Sequence, residues 1–220
     1  LVDAAAQMIP TPRHYLAMVV RPGNELAGFY VGTPEEAWSE AANLSSRLHV
    51  RYMPRQYKTV FGVAPDMYDE LWVGGKVMYK LEPIVEDGGT LIIYAPHIRE
   101  VSSTWGHYLK QTGYHVRDYF TADIDAWKHI PRAVLAHATH VKGDGRMENG
   151  VEKPRINVVV ASGLGRETTE SINLGYMDPA TINPDDYRGR EDEGILFVDH
   201  AGEMLHRPEW ERADIEYPPL

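Results

Sequence analysis

The chain has 220 residues, 43% of them apolar and 25% charged, with no cysteine and a formal charge of −10. That length suits one large domain, and the acidic balance argues against a nucleic-acid or anionic-membrane surface as the main partner. Without cysteine there are no disulfides, no thiolate metal sites and no cysteine nucleophile, which is compatible with a cytoplasmic location. No apolar run reaches the length of a membrane span and no signal-peptide pattern is present.

The chain opens at Leu1 rather than Met, directly in a helical pattern, and reads as a piece of a longer or processed protein. Leu1 to Ile9 is a short helix closed by Pro10 and Pro12. Tyr15–Val20 and Leu26–Val31 flank the Pro22-Gly23-Asn24 turn and form a hairpin. Thr33-Pro34-Glu35-Glu36 is a capping box with proline in the first helical turn, opening a helix that ends near His49. Val50–Met53 is a short strand.

Thr59 to His97 reads as strand, helix, strand. Val60, Phe61 and Val63 make the first strand, a helix runs from Asp66 to Glu86, and Gly88 and Gly89 stop it. Leu91 to Tyr94 is the second strand. Two buried strands joined by a helix favour a right-handed parallel crossover, with ligands at the carboxyl ends of the strands, here the Ala64-Pro65-Asp66-Met67-Tyr68 and Ala95-Pro96-His97 turns.

Ser102 and Ser103 begin another helix that Gly113 ends. Tyr114–Phe120 alternates weakly, as a strand would. Asp123–Val141 is mostly helical, with a break at Pro131. Arg155–Ala161 is a buried strand, residues 163–194 are turns and short helices, and Ile195–Val198 is a last strand before His200-Ala201-Gly202-Glu203. The expected architecture is a three-layer α/β/α sandwich on a mixed, largely parallel sheet, over residues 1–206, with 207–220 as an exposed tail.

Several groups of residues could carry chemistry. Trp72, Lys76 and Tyr79 share a helix face at three- and four-residue spacing, so a cation lies between aromatics near the carboxyl edge of the sheet. That suits a carboxylate-bearing ligand; a lysine snorkelling from an amphipathic helix fits the same pattern. His137 and His140 lie three apart and could face one ligand or close a helix C-terminus with Lys142 and Gly143. No acidic residue at motif spacing accompanies them, so no metal site is assigned. His97, His107 and His200 with Glu203 follow strands or start helices and read as loop residues. Ala161-Ser162-Gly163-Leu164-Gly165 is a tight turn without a phosphate-loop lysine. Asp185, Asp186, Glu191, Asp192 and Glu193 form a solvated acidic loop without calcium-loop spacing.

At Gly75-Lys76-Val77-Met78-Tyr79-Lys80-Leu81-Glu82-Pro83 and Asp87-Gly88-Gly89-Thr90-Leu91-Ile92-Ile93-Tyr94-Ala95-Pro96-His97 the sequence resembles the C-terminal domain of the nickel-pincer lactate racemase family, in an uncharacterised branch. The resemblance continues through Leu135–Gly143, Asn173–Pro179 and His200–Leu205, and upstream through Gly28–Gly32. It implies a domain that closes the substrate pocket of a 2-hydroxy-acid racemase or epimerase, an isomerase that removes and returns hydride at C2. It also implies that the nickel-pincer mononucleotide and the catalytic histidines belong to an N-terminal half, leaving no catalytic residue or metal ligand in this fragment, which alone is inactive.

The family's aromatic, glutamine and lysine of the pocket fall on Trp72, Val73 and Lys76. Valine cannot donate a hydrogen bond, which counts against lactate itself as substrate. The resemblance thus makes Lys76 and Trp72 substrate contacts and His137 and His140 candidates for one, and Tyr79 joins them from the helix face; a small 2-hydroxy acid and the N-terminal catalytic domain are the implied partners, while the acidic charge argues against nucleic acid or membrane. Two other functions are compatible with the residues: a non-catalytic binding or regulatory module, and a metal-dependent hydrolase using His137, His140 and His200.

Overall fold

The computed structural model describes residues 2–21 and 23–212. The chain, expected as one domain to residue 206, divides into two compact units, one ending at Val50 and one spanning Arg51–Arg212. The first holds α1 (Val2–Gln7), β1 (Tyr15–Arg21), β2 (Glu25–Gly32) and α2 (Pro34–His49). β1 and β2 pair antiparallel, with Met18 opposite Phe29. The capping box forms as read: the Thr33 side chain accepts from the Glu36 N–H at 3.2 Å, and Glu36 accepts from the Thr33 N–H at 3.1 Å. Those bonds and the charged first turn satisfy donors that the helix leaves unpaired. At the other end of α2, the His49 ring donates through Nε2 to the Val20 carbonyl at 2.9 Å.

The second unit is built on β4 (Tyr57–Val63), β5 (Val85–Ala95), β8 (Asn157–Ser162), β9 (Gly175–Tyr176) and β10 (Ile195–Val198). They form one sheet in the order β10-β4-β5-β8-β9, and every neighbouring pair is parallel. The remaining strands are β3 (Val50–Met53), paired with β11 (Leu205–Pro208), and the antiparallel hairpin of β6 (Gly145–Glu148) and β7 (Val151–Pro154).

Strand residues alternate between two cores, as the period of two requires. Val60, Leu91, Ile93, Val158 and Val160 face the larger core. That side is covered by α3 (Leu71–Gly74), α4 (Lys76–Leu81), α5 (Gly106–Thr112), α6 (Arg117–Thr121), α7 (Arg132–Lys142) and the end of α8 (Arg166–Ser171). Phe61, Ile92 and Ala161 face the other side, where Met177, Ile182, Tyr187 and Phe197 pack on them. The Phe61 ring stacks on Tyr187 at 4.1 Å, so this layer is closed by aromatic contacts of the 179–193 turns. The result is an α/β sandwich with one helical layer and one layer of 3₁₀ turns.

Five sequence expectations change. The helix expected over 66–86 is shorter and divided at Gly75 into α3 and α4. A Cβ on Gly75 would lie 2.6 Å from Val141 Cγ2 and 3.3 Å from His137 Cε1, so close packing on α7 selects glycine there. Pro83, which lacks an N–H, falls in a 3₁₀ turn, and the chain is already extended at Val85, where it pairs with Tyr57.

Gly88 and Gly89 therefore lie inside β5 rather than ending a helix, next to the register shift between Tyr57 and Thr59. Tyr114–Phe120 contains no strand: Tyr114 and Val116 are buried in an extended lead-in, and Arg117–Thr121 is α6. Residues 123–130 are turns, so α7 starts only after Pro131. The exposed tail does not begin at residue 207: β11 continues to Pro208, which is buried, and residues 213–220 lie outside the described residues.

Candidate functional site

In sequence, β4, β5, β8 and β9 step across the sheet in one direction, and β10 then returns to the far side of β4. The order reverses between β4 and β10, and the crevice outside the carboxyl ends of such strands is where open parallel sheets bind ligands. The two ends are tied together by the Ala201 N–H, which donates to the Val63 carbonyl at 2.8 Å. β4 leads into the turn 64–70, and β10 into Asp199–Glu203.

Lys76 stands at this switch point. It is the first residue of α4 and is half-buried. Its Nζ lies 5.1 Å from the centroid of the Tyr68 ring, within cation–π range. Burial, and then the charges of Glu203 and Tyr79, raise the Tyr68 hydroxyl above its ordinary pKa, so it stays protonated. His97, just beyond the end of β5, donates through Nε2 to the Tyr68 carbonyl at 3.0 Å, leaving Nδ1 3.8 Å from Asp66.

The start of α3 is held from the loop after β5. The Leu71 and Trp72 N–H groups donate to the Glu100 and Val101 carbonyls at 2.9 Å each. The Glu70 carboxylate in turn accepts from Ser102 Oγ, Ser103 N and Ser103 Oγ. Trp72 stacks on His137 with ring centroids 3.8 Å apart and planes 19° from parallel.

His137 is buried, and the Tyr114 hydroxyl reaches its Nε2 at 3.4 Å. Burial, with a smaller contribution from His140, lowers the His137 pKa to about 4, so the ring is neutral at pH 7 and accepts from Tyr114. Burial raises the Tyr114 hydroxyl further still. His137 is therefore a buried support for Trp72.

Tyr79 and His140 meet elsewhere. Their ring centroids are 5.9 Å apart, and both line a cavity of about 290 Å³ with Glu82, Arg117, Thr139 and the 143–145 turn. Lys76 is not among the residues lining that cavity. The five residues singled out from the sequence thus fall into three places: Lys76 at the switch point, Trp72 stacked on buried His137, and Tyr79 with His140 in a separate cavity.

His200 is exposed, with Nδ1 3.8 Å from Glu203, and the exposed His107 ring lies tilted against Tyr108. In the acidic loop, Asp185 pairs with Arg188 and Glu193 with Arg190. Among the described residues, no group of three or more His, Cys, Asp or Glu side chains is placed to hold a metal ion. No helix among them is long and apolar enough to cross a membrane.

The sequence places Tyr68 in the turn after the first strand, where a ligand is expected, and Gly202 in the turn after the last, but gives neither residue a role. Glu203 is singled out there only beside His200. The one local signal for them is position after a strand, since Tyr68 follows β4 and Gly202 follows β10. What joins them is the sheet order.

Neither a family model nor a curated protein matches the sequence. Solved structures do. A crystal structure of a Thermotoga maritima protein is 30% identical over 94% of this chain, with a TM-score of 0.81, and 52% of that protein is covered. The lactate racemase apoprotein from Thermoanaerobacterium thermosaccharolyticum is 12% identical over 93% of this chain, with a TM-score of 0.65 and 48% of that protein covered. The chain spans about half the length of each. It has a lactate-racemase-like fold.

Proposed function

We propose that this chain is the pocket-closing C-terminal domain of a cytoplasmic, nickel-pincer-nucleotide-dependent racemase or epimerase of 2-hydroxy acids. The observation that carries the reading is the position of Lys76, a half-buried cation at the switch point of a lactate-racemase-like sheet. A carboxylate entering over the carboxyl edge would meet the Lys76 ammonium, and Trp72, immobilised on His137, would wall the carbon end of the substrate.

The described residues do not fit the nickel group, since none form a ligand cluster. In this reading the cofactor and its chemistry belong to a separate catalytic half, which the length of the solved neighbours leaves room for. The contribution of this chain is to bind and orient the substrate carboxylate and to exclude water. The hydrolase reading has less support, because His137 is enclosed between Trp72 and Tyr114, His140 lines the cavity with Tyr79, and His200 is exposed beside Glu203.

The test is chiral chromatography of 2-hydroxy acids incubated with the full-length protein and with its Lys76→Ala variant. Loss of a charge-assisted bond of about 3 kcal/mol corresponds to a drop in kcat/KM of roughly 100-fold, with the melting temperature unchanged. A Lys76→Ala protein that racemises at the native rate would sink the proposal.

A further inference from the structure

We infer that Tyr68 is the positioning residue that holds the Lys76 ammonium at the carboxyl edge of the sheet. This rests on the reading of Lys76 as the carboxylate anchor. A lysine on a four-carbon stem samples many rotamers unless something fixes its head. Among the described residues Lys76 makes no ion pair, and the group that meets its Nζ is the Tyr68 ring at 5.1 Å.

Tyr68 is itself fixed on several sides, as a clamp must be. It is 5% exposed. Its N–H donates to the Pro65 carbonyl at 2.9 Å, closing the turn after β4. Its own carbonyl accepts from His97 Nε2 at 3.0 Å, which ties that turn to the end of β5.

The ring is backed by Gly202 from the turn after β10. A Cβ built there would lie 3.0 Å from Tyr68 Cε2, 3.1 Å from its hydroxyl and 3.1 Å from Lys76 Cβ. Gly202 also has φ +99, a conformation that side-chain-bearing residues rarely adopt. The ends of three strands therefore converge on one residue: His97 after β5 holds the Tyr68 backbone, Gly202 after β10 backs its ring, and the face of that ring carries Lys76. The ammonium is held by the ring without being neutralised, which leaves its charge available to a carboxylate.

The geometry is tested on this chain by reductive methylation with ¹³C-formaldehyde and NMR of the dimethyl-lysines, with Lys76→Arg assigning the Lys76 resonance. The Lys76 methyl protons are expected upfield of the other lysines, shifted by the Tyr68 ring current. Tyr68→Phe keeps that shift and Tyr68→Leu abolishes it. A Lys76 resonance among those of solvated lysines in the unsubstituted protein overturns the inference; Lys76→Arg, which keeps the cation, serves only to assign the resonance.

In the full-length enzyme Tyr68→Leu is expected to raise KM about 10-fold with kcat within about twofold, and Tyr68→Phe to restore KM, as a modest cation–π contribution implies. An unchanged KM in a folded Tyr68→Leu enzyme also overturns it. Full activity in Lys76→Ala would instead overturn the anchor reading, while the resonance shift still decides the geometry.

Discussion

Mild acid is expected to destabilise the protein through His137 and His206, two histidines that fold into the interior uncharged. His206 lies in β11, 3% exposed, with Nδ1 donating to the Met204 carbonyl at 3.2 Å and Nε2 buried without a partner among the described residues. Burial, offset in part by that bond and reinforced by Arg51, lowers its pKa to about 4, as burial does for His137. In the unfolded chain both would titrate near 6.5.

The folded pKa values are therefore depressed. The unfolded state takes up protons first, so the stabilisation is complete above about pH 6.5 and is lost as pH falls towards 4. Each histidine accounts for about 2 kcal/mol at pH 5 and roughly 3 kcal/mol at pH 4. The pair thus removes about 4 kcal/mol by pH 5, a large share of an ordinary domain's stability.

His115, lowered by burial against the pull of Glu152, adds in the same direction. Glu152 does not interfere in this window. Burial would raise its carboxyl, but the Val116 N–H, Asn173 and His115 together hold it lower, so its contribution fades only below the usual carboxylate range. Urea unfolding at about pH 7.5, 6 and 5 reads the slope, and the His137→Phe/His206→Phe double variant should flatten most of it. A double variant that loses as much stability between those pH values as the parent would refute the assignment.

Three further outcomes follow from packing and hydrogen bonding. Gly143→Ala places a Cβ at φ +88 against the Met78 methyl and 2.6 Å from Glu82 Oε1, and should cost about 2–4 kcal/mol in urea unfolding. Glu152→Ala leaves the Val116 N–H, Asn173 Nδ2 and His115 Nδ1 without their shared acceptor, costing about 3 kcal/mol and speeding amide exchange at Val116. Glu70→Ala releases Ser102 and Ser103 from the start of α3; about 1–2 kcal/mol of stability and the exchange protection of the Ser103 amide should go with it.

Local patterns in the chain determine much of this protein. The Thr33–Glu36 box starts α2 where its hydrogen-bonding residues say it should, because a cap is complete within four residues. The apolar runs at Val60, Leu91, Val158 and Leu196 become strands of one parallel sheet, because chain buried on both faces has few other ways to satisfy its backbone. Lys76 and Trp72 were visible because they lie four residues apart in the chain, although Gly75 divides their helix into α3 and α4.

Periodicity failed where tertiary contacts overrode it. Asp66 to Glu70 reads as the first turn of a helix, yet the Glu70 carboxylate bonds to Ser102 and Ser103 and the helix waits until Leu71. Asp123 to His129 reads as helix and folds as turns. Tyr79 shares a helix face with Lys76 in sequence, but the packing of α4 on α7 carries it to His140 and a different cavity.

The site itself was decided only by the order of the strands. Tyr68, His97 and Gly202 are distant in the chain and each is an ordinary turn residue on its own. They meet because β5 and β10 flank β4 in the sheet, bringing the ends of all three strands within reach of Tyr68. Strand order depends on long-range pairing, which no local window of residues contains.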